Sequence, residues 1–125
     1  MRIVVDTSAL VRFFTDDIPQ KANLVENLFE DEKDIFIPDV VFPEVEYILI
    51  QKYNYPKEKL LDIYTFLSSR NNIHITKEAR NAIVLFSKTK LDMADCIIAA
   101  YSMKGFLASF DSGLLGIAGI NPFWK

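Results

Sequence analysis

Residues 3–8 read Ile-Val-Val-Asp-Thr-Ser, a short apolar run that ends at an aspartate followed by two small polar residues. The apolar run predicts a buried strand over residues 2–5, which ends at Asp6. Residues 106–110 (Phe-Leu-Ala-Ser-Phe) form a second such run, which predicts another strand and is followed by Asp111. The carboxyl ends of parallel strands meet at one edge of a sheet, where ligands bind. We therefore expect the two aspartates to face one crevice.

Between these runs, stretches with helical spacing alternate with short apolar runs. Helices are predicted over residues 7–14, from Asp16-Asp17 through Phe29, from Asp39 to about Lys52, from Pro56 through Leu67, from Thr76 through Phe86 and from Asp92 to Gly105, with further strands at 35–37, 73–75 and near 117–123. In the last helix, the residues expected to face the core are Ala94, Ile97, Ile98 and Tyr101. The alternation predicts one α/β domain over residues 1–125, a three-layer fold whose mostly parallel central sheet is flanked by helices.

The composition excludes several classes of protein. Half of the 125 residues are hydrophobic and a quarter are charged, as in a globular domain. The single cysteine and single histidine exclude a disulfide framework and a His/Cys zinc site. No apolar run approaches the roughly 20 residues that span a bilayer, and no basic stretch precedes the first strand, so we expect a cytoplasmic protein. The hydrophobic share favours a homo-oligomer or a bound partner chain.

Each aspartate near the predicted crevice also has a purely structural explanation. Asp6 could cap the helix that follows it, and Asp111 could begin a turn. Asp92 and Asp95 have the spacing of a capping box, with an acid in the first turn. The formal charge of −3 disfavours a general nucleic-acid binder, unless several acids share one metal pocket.

Glu44 differs from the aspartates because it is predicted one turn inside a helix and close to its apolar face. The alternative is a solvated glutamate at the edge of the apolar stripe, with Glu46 as the exposed comparator. A carboxylate beside a core needs a partner, and a metal ion can be one. Carboxylates without a Cys/His pattern are the oxygen ligands that Mg²⁺ and Mn²⁺ require. Two such ions can activate a water and stabilise the leaving oxygen in phosphodiester hydrolysis.

Four blocks of the sequence resemble the motifs of PIN-domain nucleases of the VapC toxin type. The blocks are Val4–Phe14 with Thr15–Pro19, Pro43–Leu49, Ala94–Ala100 and Leu107–Asp111. They occur in the family's order and span nearly the whole chain. The resemblance implies a parallel-sheet PIN fold and a ribonuclease that depends on Mg²⁺ or Mn²⁺. It places the catalytic and metal-binding acids at Asp6, Glu44, Asp95 and Asp111, with Asp92 as a possible fifth member.

This chain departs from the family's motifs at three positions. Ser8 stands where many members have Asn, Ser109 where many have Thr, and Cys96 where Ala is usual. Ser8 and Ser109 keep a small hydrogen-bonding group, and we expect both to fix the carboxylates. The resemblance further implies an RNA substrate, a homodimer and a small cognate antitoxin.

Residues that contact the substrate are less evident from the sequence. Lysines interleave with aromatic residues in the segment Lys52–Lys59, an arrangement that could neutralise phosphates and stack bases, although a solvated helix–helix corner explains it as well. The candidates are Arg12, Lys52, Tyr53 and Lys57, with Lys88, Lys90 and Lys104 as further cations. His74 is expected to be a strand residue rather than an acid–base catalyst. Phe123 and Trp124 are expected to pack onto the core or a dimer seam.

Other functions compete with a toxin nuclease. A housekeeping RNA-processing nuclease would use the same chemistry, and a small partner gene beside this one would favour the toxin. A flavodoxin-like regulatory domain needs paired acids after the first strand, whereas only Asp6 follows it. A non-catalytic RNA-binding module would not need all four acids.

Overall fold

The computed structural model describes residues 1–124 of the chain. The chain divides into two compact units, residues 1–76 and residues 77–125. The single domain expected over residues 1–125 stays a prediction. In the described part of the chain, no helix has both the length and the apolar character needed to cross a membrane.

The first unit contains a three-stranded parallel sheet and four helices. Its elements are β1 (Ile3–Val4), α1 (Thr7–Thr15), α2 (Pro19–Asp31), β2 (Ile35–Phe36), α3 (Val41–Tyr53), α4 (Lys57–Ser69) and β3 (Ile73–His74). The strands lie in the order β1-β2-β3, with Ile3 paired with Ile35 and Ile35 with Ile73. His74 lies in β3 as expected, and its Nε2 is 3.7 Å from Asp34 Oδ1. The predicted α/β fold with a parallel sheet is confirmed.

The core of this unit fills one side of the sheet. Ile35 and Ile37 are fully buried, and Val5 is 3% exposed. Val4, by contrast, is 60% exposed, so the prediction of a uniformly buried first strand is wrong. Successive side chains of a strand point to opposite faces, and at Val4 the second face is open to solvent.

Two helix starts differ from those predicted. Asp16 and Asp17 do not begin α2: Asp16 ends α1 in the left-handed conformation (φ 52°), and α2 begins at Pro19. Proline is favoured at a first helical position because its missing N–H has no partner there anyway. The cap residue of α3 is Val40 rather than Asp39. The Asp39 carboxylate instead accepts a hydrogen bond from Thr76 Oγ1 at 2.6 Å.

The second unit is helical in its described residues, with α5 (Lys77–Lys88), α6 (Met93–Ser102) and α7 (Ser112–Leu115). The strand predicted over 106–110 is wrong, as is the one near 117–123. Only an isolated parallel bridge joins Leu107 to Pro122. Leu107 N donates to Asn121 O at 2.8 Å, and Phe123 N donates to Leu107 O at 2.9 Å.

The buried face of α6 is also not the predicted one, and the helix ends at Ser102 instead of Gly105. Its buried residues are Met93, Cys96, Ala99, Ala100 and Ser102. Ile98 and Tyr101 are 45% and 56% exposed. Helix α5 contributes the equally small Ala79 and Ala82, both buried. The inner face of α6 thus combines small residues with Met93, while the larger Ile98 and Tyr101 lie outside it.

Tyr64 gives a direct test of the first unit's packing. Its ring is fully buried, and its hydroxyl donates to Phe42 O at 2.7 Å. We expect Tyr64→Phe to lower the free energy of unfolding by about 1 kcal/mol, the usual net value of one such bond. Urea denaturation measures this change. The control is Tyr55→Phe, because the Tyr55 hydroxyl makes only a long 3.4 Å bond to Phe14 O. Equal losses in both variants would contradict the prediction.

Candidate active site

Asp6 is the first acid of the candidate site, and it caps α1. Its Oδ1 accepts hydrogen bonds from Ser8 Oγ at 2.8 Å and from Ala9 N at 3.2 Å. These donors stabilise the charged form, so the Ser8 hydroxyl, followed by the Ala9 amide, lowers the pKa of the Asp6 carboxyl. Both bonds end on Oδ1, which leaves Oδ2 for a further ligand. Asp6 is therefore an exposed, oriented and ionised carboxylate.

Glu44 lies in the first turn of α3 and is tied to the residue after Asp6. Thr7 Oγ1 donates a hydrogen bond to Glu44 Oε1 at 2.6 Å. Glu44 is exposed and Glu46 half-buried. The exposure of Glu44 agrees with the alternative of a solvated glutamate, whereas the predictions that Glu44 lies close to the apolar face and that Glu46 is exposed are wrong. Val41 and its neighbours on the buried stripe take the inner positions. The role of Thr7 was missed, although its place in the polar pair after the first strand was a signal.

The two acids of the first unit share a cleft. Its volume is about 700 Å³, within the usual range for ligand sites. The lining residues are Asp6, Thr7, Ser8, Pro43, Glu44, Tyr47 and Ile48. The cleft therefore combines two carboxylates and the hydroxyl-bearing residues Thr7, Ser8 and Tyr47 with apolar residues of α3.

Three of the predicted substrate residues line a neighbouring cleft of about 200 Å³, which shares Ser8 and Ile48 with the first. These residues are Arg12, Lys52 and Tyr53, whereas Lys57 lines neither cleft.

Two of these three residues are held by Asp17. Arg12 Nη1 and Tyr53 OH both donate to Asp17 Oδ2, at 2.7 and 2.9 Å. The Tyr53 hydrogen bond is the largest cause that lowers the pKa of the Asp17 carboxyl. Lys52 forms no ion pair with a described residue. Lys52 is thus more available than Arg12 to an incoming anion.

The second unit holds the other predicted acids, two of them as helix caps. Asp92 caps α6 by accepting from Asp95 N at 2.9 Å. Asp111 caps α7: its Oδ1 accepts from Gly113 N at 2.8 Å and from Leu114 N at 3.2 Å. Ser109 Oγ accepts from the backbone N of Asp111 at 3.0 Å. Ser109 therefore fixes the backbone at Asp111, whereas Ser8 contacts the carboxylate of Asp6 directly.

Asp95 is the half-buried member of this second group. Burial raises the pKa of its carboxyl, and the negative charges of Asp92 and Asp111 raise it further. These like charges lie close enough to repel one another, which destabilises the folded chain unless a cation offsets them.

The donor set in both groups suits a hard cation. Only carboxylate and hydroxyl oxygens are present, and these are ligands that Mg²⁺ and Mn²⁺ prefer. Within neither unit do three acids, histidines or cysteines of the described residues gather closely enough to hold an ion by themselves. The charge repulsion at Asp95 is the observation that a bound cation fits, because a cation would relieve it.

The sequence pattern of the PIN domain matches residues 3–118, and the chain belongs to that family. The resemblance found from the four motif blocks is thereby confirmed. Among curated proteins, the chain is similar to the VapC ribonuclease of Aquifex aeolicus (strain VF5), with 27% identity over 132 aligned positions that cover 96% of each chain. No solved structure matches the chain.

Proposed function

We propose that this chain is a metal-dependent endoribonuclease that hydrolyses RNA phosphodiester bonds as the toxin of a toxin–antitoxin pair. Membership of the PIN domain family and the similarity to a VapC ribonuclease support a nuclease. The observation that carries the proposal is the environment of Asp95, where burial and then the charges of Asp92 and Asp111 raise the pKa of the carboxyl, because a bound cation would stabilise its ionised form. A bound cation would thus give one common function to acids that helix capping alone could explain.

The ion would be Mg²⁺ or Mn²⁺, held by Asp6, Glu44, Asp95 and Asp111, with Asp92 as a further ligand. When bound, such an ion supplies an activated water and offsets charge on the leaving oxygen.

The chain's own groups hold the ligands in place before the substrate arrives. The Ser8 hydroxyl and the Ala9 amide fix one oxygen of Asp6, and the Thr7 hydroxyl fixes one oxygen of Glu44. Side chains fixed in this way lose little conformational entropy when the substrate binds. Lys52, with no carboxylate partner among the described residues, would take a phosphate of the RNA beside Ser8.

Partner chains belong to the proposal as well. On α3 and the residue before it, Tyr47 and Val40 are 66% and 61% exposed. Large exposed apolar side chains mark surfaces that a partner covers. We expect a homodimer and a small antitoxin, both acting in the cytoplasm, where the RNA substrate is.

Cleavage of a labelled single-stranded RNA by the purified chain tests the proposed function. We expect cleavage with Mn²⁺ or Mg²⁺ and none in EDTA. An Asp6→Asn/Asp95→Asn double variant, purified identically, controls for contaminating nucleases. An intact RNA after incubation with either ion would overturn the proposal, as would equal cleavage by the double variant.

Thr7 allows a test of ligand positioning. Thr7→Val keeps the shape of the side chain but removes the hydrogen bond to Glu44. We expect kcat to fall about tenfold or more with little change in KM, as for other groups that orient metal ligands. Thr7→Ser keeps the hydroxyl and should restore most of kcat. A purely structural role would instead predict that both variants lose melting temperature and kcat in parallel.

A further inference from the structure

Four aromatic side chains of the second unit lie on its surface. The exposed fractions are 68% for Phe106, 91% for Phe110, 60% for Phe123 and 51% for Trp124. Of the two alternatives predicted for Phe123 and Trp124, packing onto the core is therefore wrong, and packing at a dimer seam stays a prediction. Scattered exposed apolar residues are ordinary, but a contiguous exposed group indicates a binding surface.

The four rings contact one another in series. Phe110 and Trp124 are stacked, with ring centroids 4.8 Å apart and ring planes 5° from parallel. Trp124 meets Phe123 edge-on at 5.7 Å, and Phe123 meets Phe106 edge-on at 6.4 Å. Because Phe110 is 91% exposed although it is stacked on Trp124, most of its ring still faces solvent. We name the stacked pair Phe110–Trp124 the aromatic platform.

Backbone hydrogen bonds fix the aromatic platform beside a proposed metal ligand. The bridge between Leu107 and Pro122 joins the two segments that carry the rings. Phe110 directly precedes Asp111, whose backbone N donates to Ser109 Oγ and whose carboxylate caps α7. A group stacked on Phe110 would thus be held one residue from an acid of the candidate site.

The residues that directly follow Asp111 line a cleft that carries positive charge. Lys88 and Lys90 line a cleft of about 680 Å³ together with Ser112 and Gly113. Neither lysine forms an ion pair with a described residue. Asp111 therefore stands in the chain between an aromatic surface and the wall of a lysine-lined cleft. Single-stranded nucleic acids bind where bases can stack on aromatic rings and phosphates can meet cations.

We propose that the aromatic platform stacks an unpaired base of the RNA substrate and so sets which phosphodiester bond reaches Asp111, while Lys88 and Lys90 bind the adjoining phosphates. This inference rests on the proposed function. A second copy of the chain is a poorer occupant, because a chain seated permanently on Phe110 would crowd Asp111, which the reaction needs. An RNA strand covers Phe110 only while it is being bound and cut.

The chain's single tryptophan makes the inference measurable without cleavage, because Trp124 is half of the platform. A short single-stranded RNA of mixed sequence is titrated into the full chain in EDTA. We expect the RNA to quench Trp124 fluorescence and a matched RNA duplex to do so much less. Phe110→Leu keeps an apolar side chain but removes the ring, and we expect it to weaken RNA binding about tenfold. Phe110→Tyr should bind as the unchanged chain does.

The control is Tyr101→Leu, which removes an exposed aromatic ring of the same unit that is outside the platform and should leave affinity unchanged. The inference is overturned if Phe110→Leu binds RNA as tightly as the unchanged chain, or if RNA leaves Trp124 fluorescence unaltered. It is also overturned if the chain is a dimer that Phe110→Glu makes monomeric. Cleavage with Mn²⁺, measured in parallel, separates the two proposals. If RNA quenches Trp124 fluorescence but is never cut, the proposed nuclease activity is refuted and the inference about the aromatic platform stands. If RNA is cut without quenching Trp124 fluorescence, the nuclease activity stands and the inference about the platform is refuted.

Discussion

Asp6→Asn is expected to reduce metal-dependent RNA cleavage about a hundredfold or more while the chain keeps its fold. Loss of one preorganised electrostatic group commonly costs this much in kcat. The fold should persist because an asparagine Oδ1 can accept the same bonds from Ser8 Oγ and Ala9 N that Asp6 accepts. Asparagine is also as good a helix cap as aspartate. The substitution thus removes a charge and keeps the cap.

Initial cleavage rates and melting temperatures of the two chains measure this prediction. Asp31→Asn is the matched control, because Asp31 is an exposed aspartate at the end of α2 and lines neither cleft near Asp6. It should cut RNA at the rate of the unchanged chain. If Asp6→Asn kept full activity, Asp6 would be a helix cap and nothing more.

The residues that the sequence predicted well are those whose neighbours along the chain determine their role. Asp6 and Asp92 cap the helices that follow them, because their side chains reach amides two or three residues on. The parallel sheet likewise followed from short apolar runs separated by helices.

The wrong predictions concern residues whose positions are determined by contacts distant in sequence. Glu44 was assigned to the apolar edge from its neighbours in α3, yet its partner Thr7 is 37 residues away. Helix α6 buries Met93 together with small residues and leaves Ile98 and Tyr101 outside, so its inner face is not the one that its hydrophobic residues indicate. A hydrophobicity pattern ranks residues by polarity, and it carries no information about how closely α5 packs against α6.

The segment after α6 shows a third kind of error. Residues 106–110 form an apolar run that predicts a strand, but Phe106 and Phe110 point to solvent and Leu107 is the residue of this run that is buried. In the folded chain Phe106 and Phe110 lie on the surface instead. Their position there leaves no periodic pattern in the sequence.

Asp95→Asn is expected to raise the melting temperature of the metal-free chain and to abolish its stabilisation by Mn²⁺. Burial and the charges of Asp92 and Asp111 raise the pKa of Asp95 above 3.8, so the ionised carboxylate destabilises the fold. A neutral amide removes this repulsion. We expect a rise of about 1–3 °C, the size for a partly exposed like-charge contact. In the unchanged chain, Mn²⁺ at about 100 times its Kd should raise the melting temperature by roughly 5–10 °C.

The pH dependence of this difference identifies its origin. Because the folded-state pKa of Asp95 lies above that of the unfolded chain, the penalty is absent below pH 3.8 and grows as pH rises through the folded-state pKa. The melting temperatures of Asp95→Asn and the unchanged chain should therefore converge in acid and differ most near neutrality. Asp31→Asn, which lies outside this cluster, should show no such divergence. A constant offset at every pH would mean that Asp95→Asn acts through packing, and the case for a cation at Asp95 would lose its physical basis.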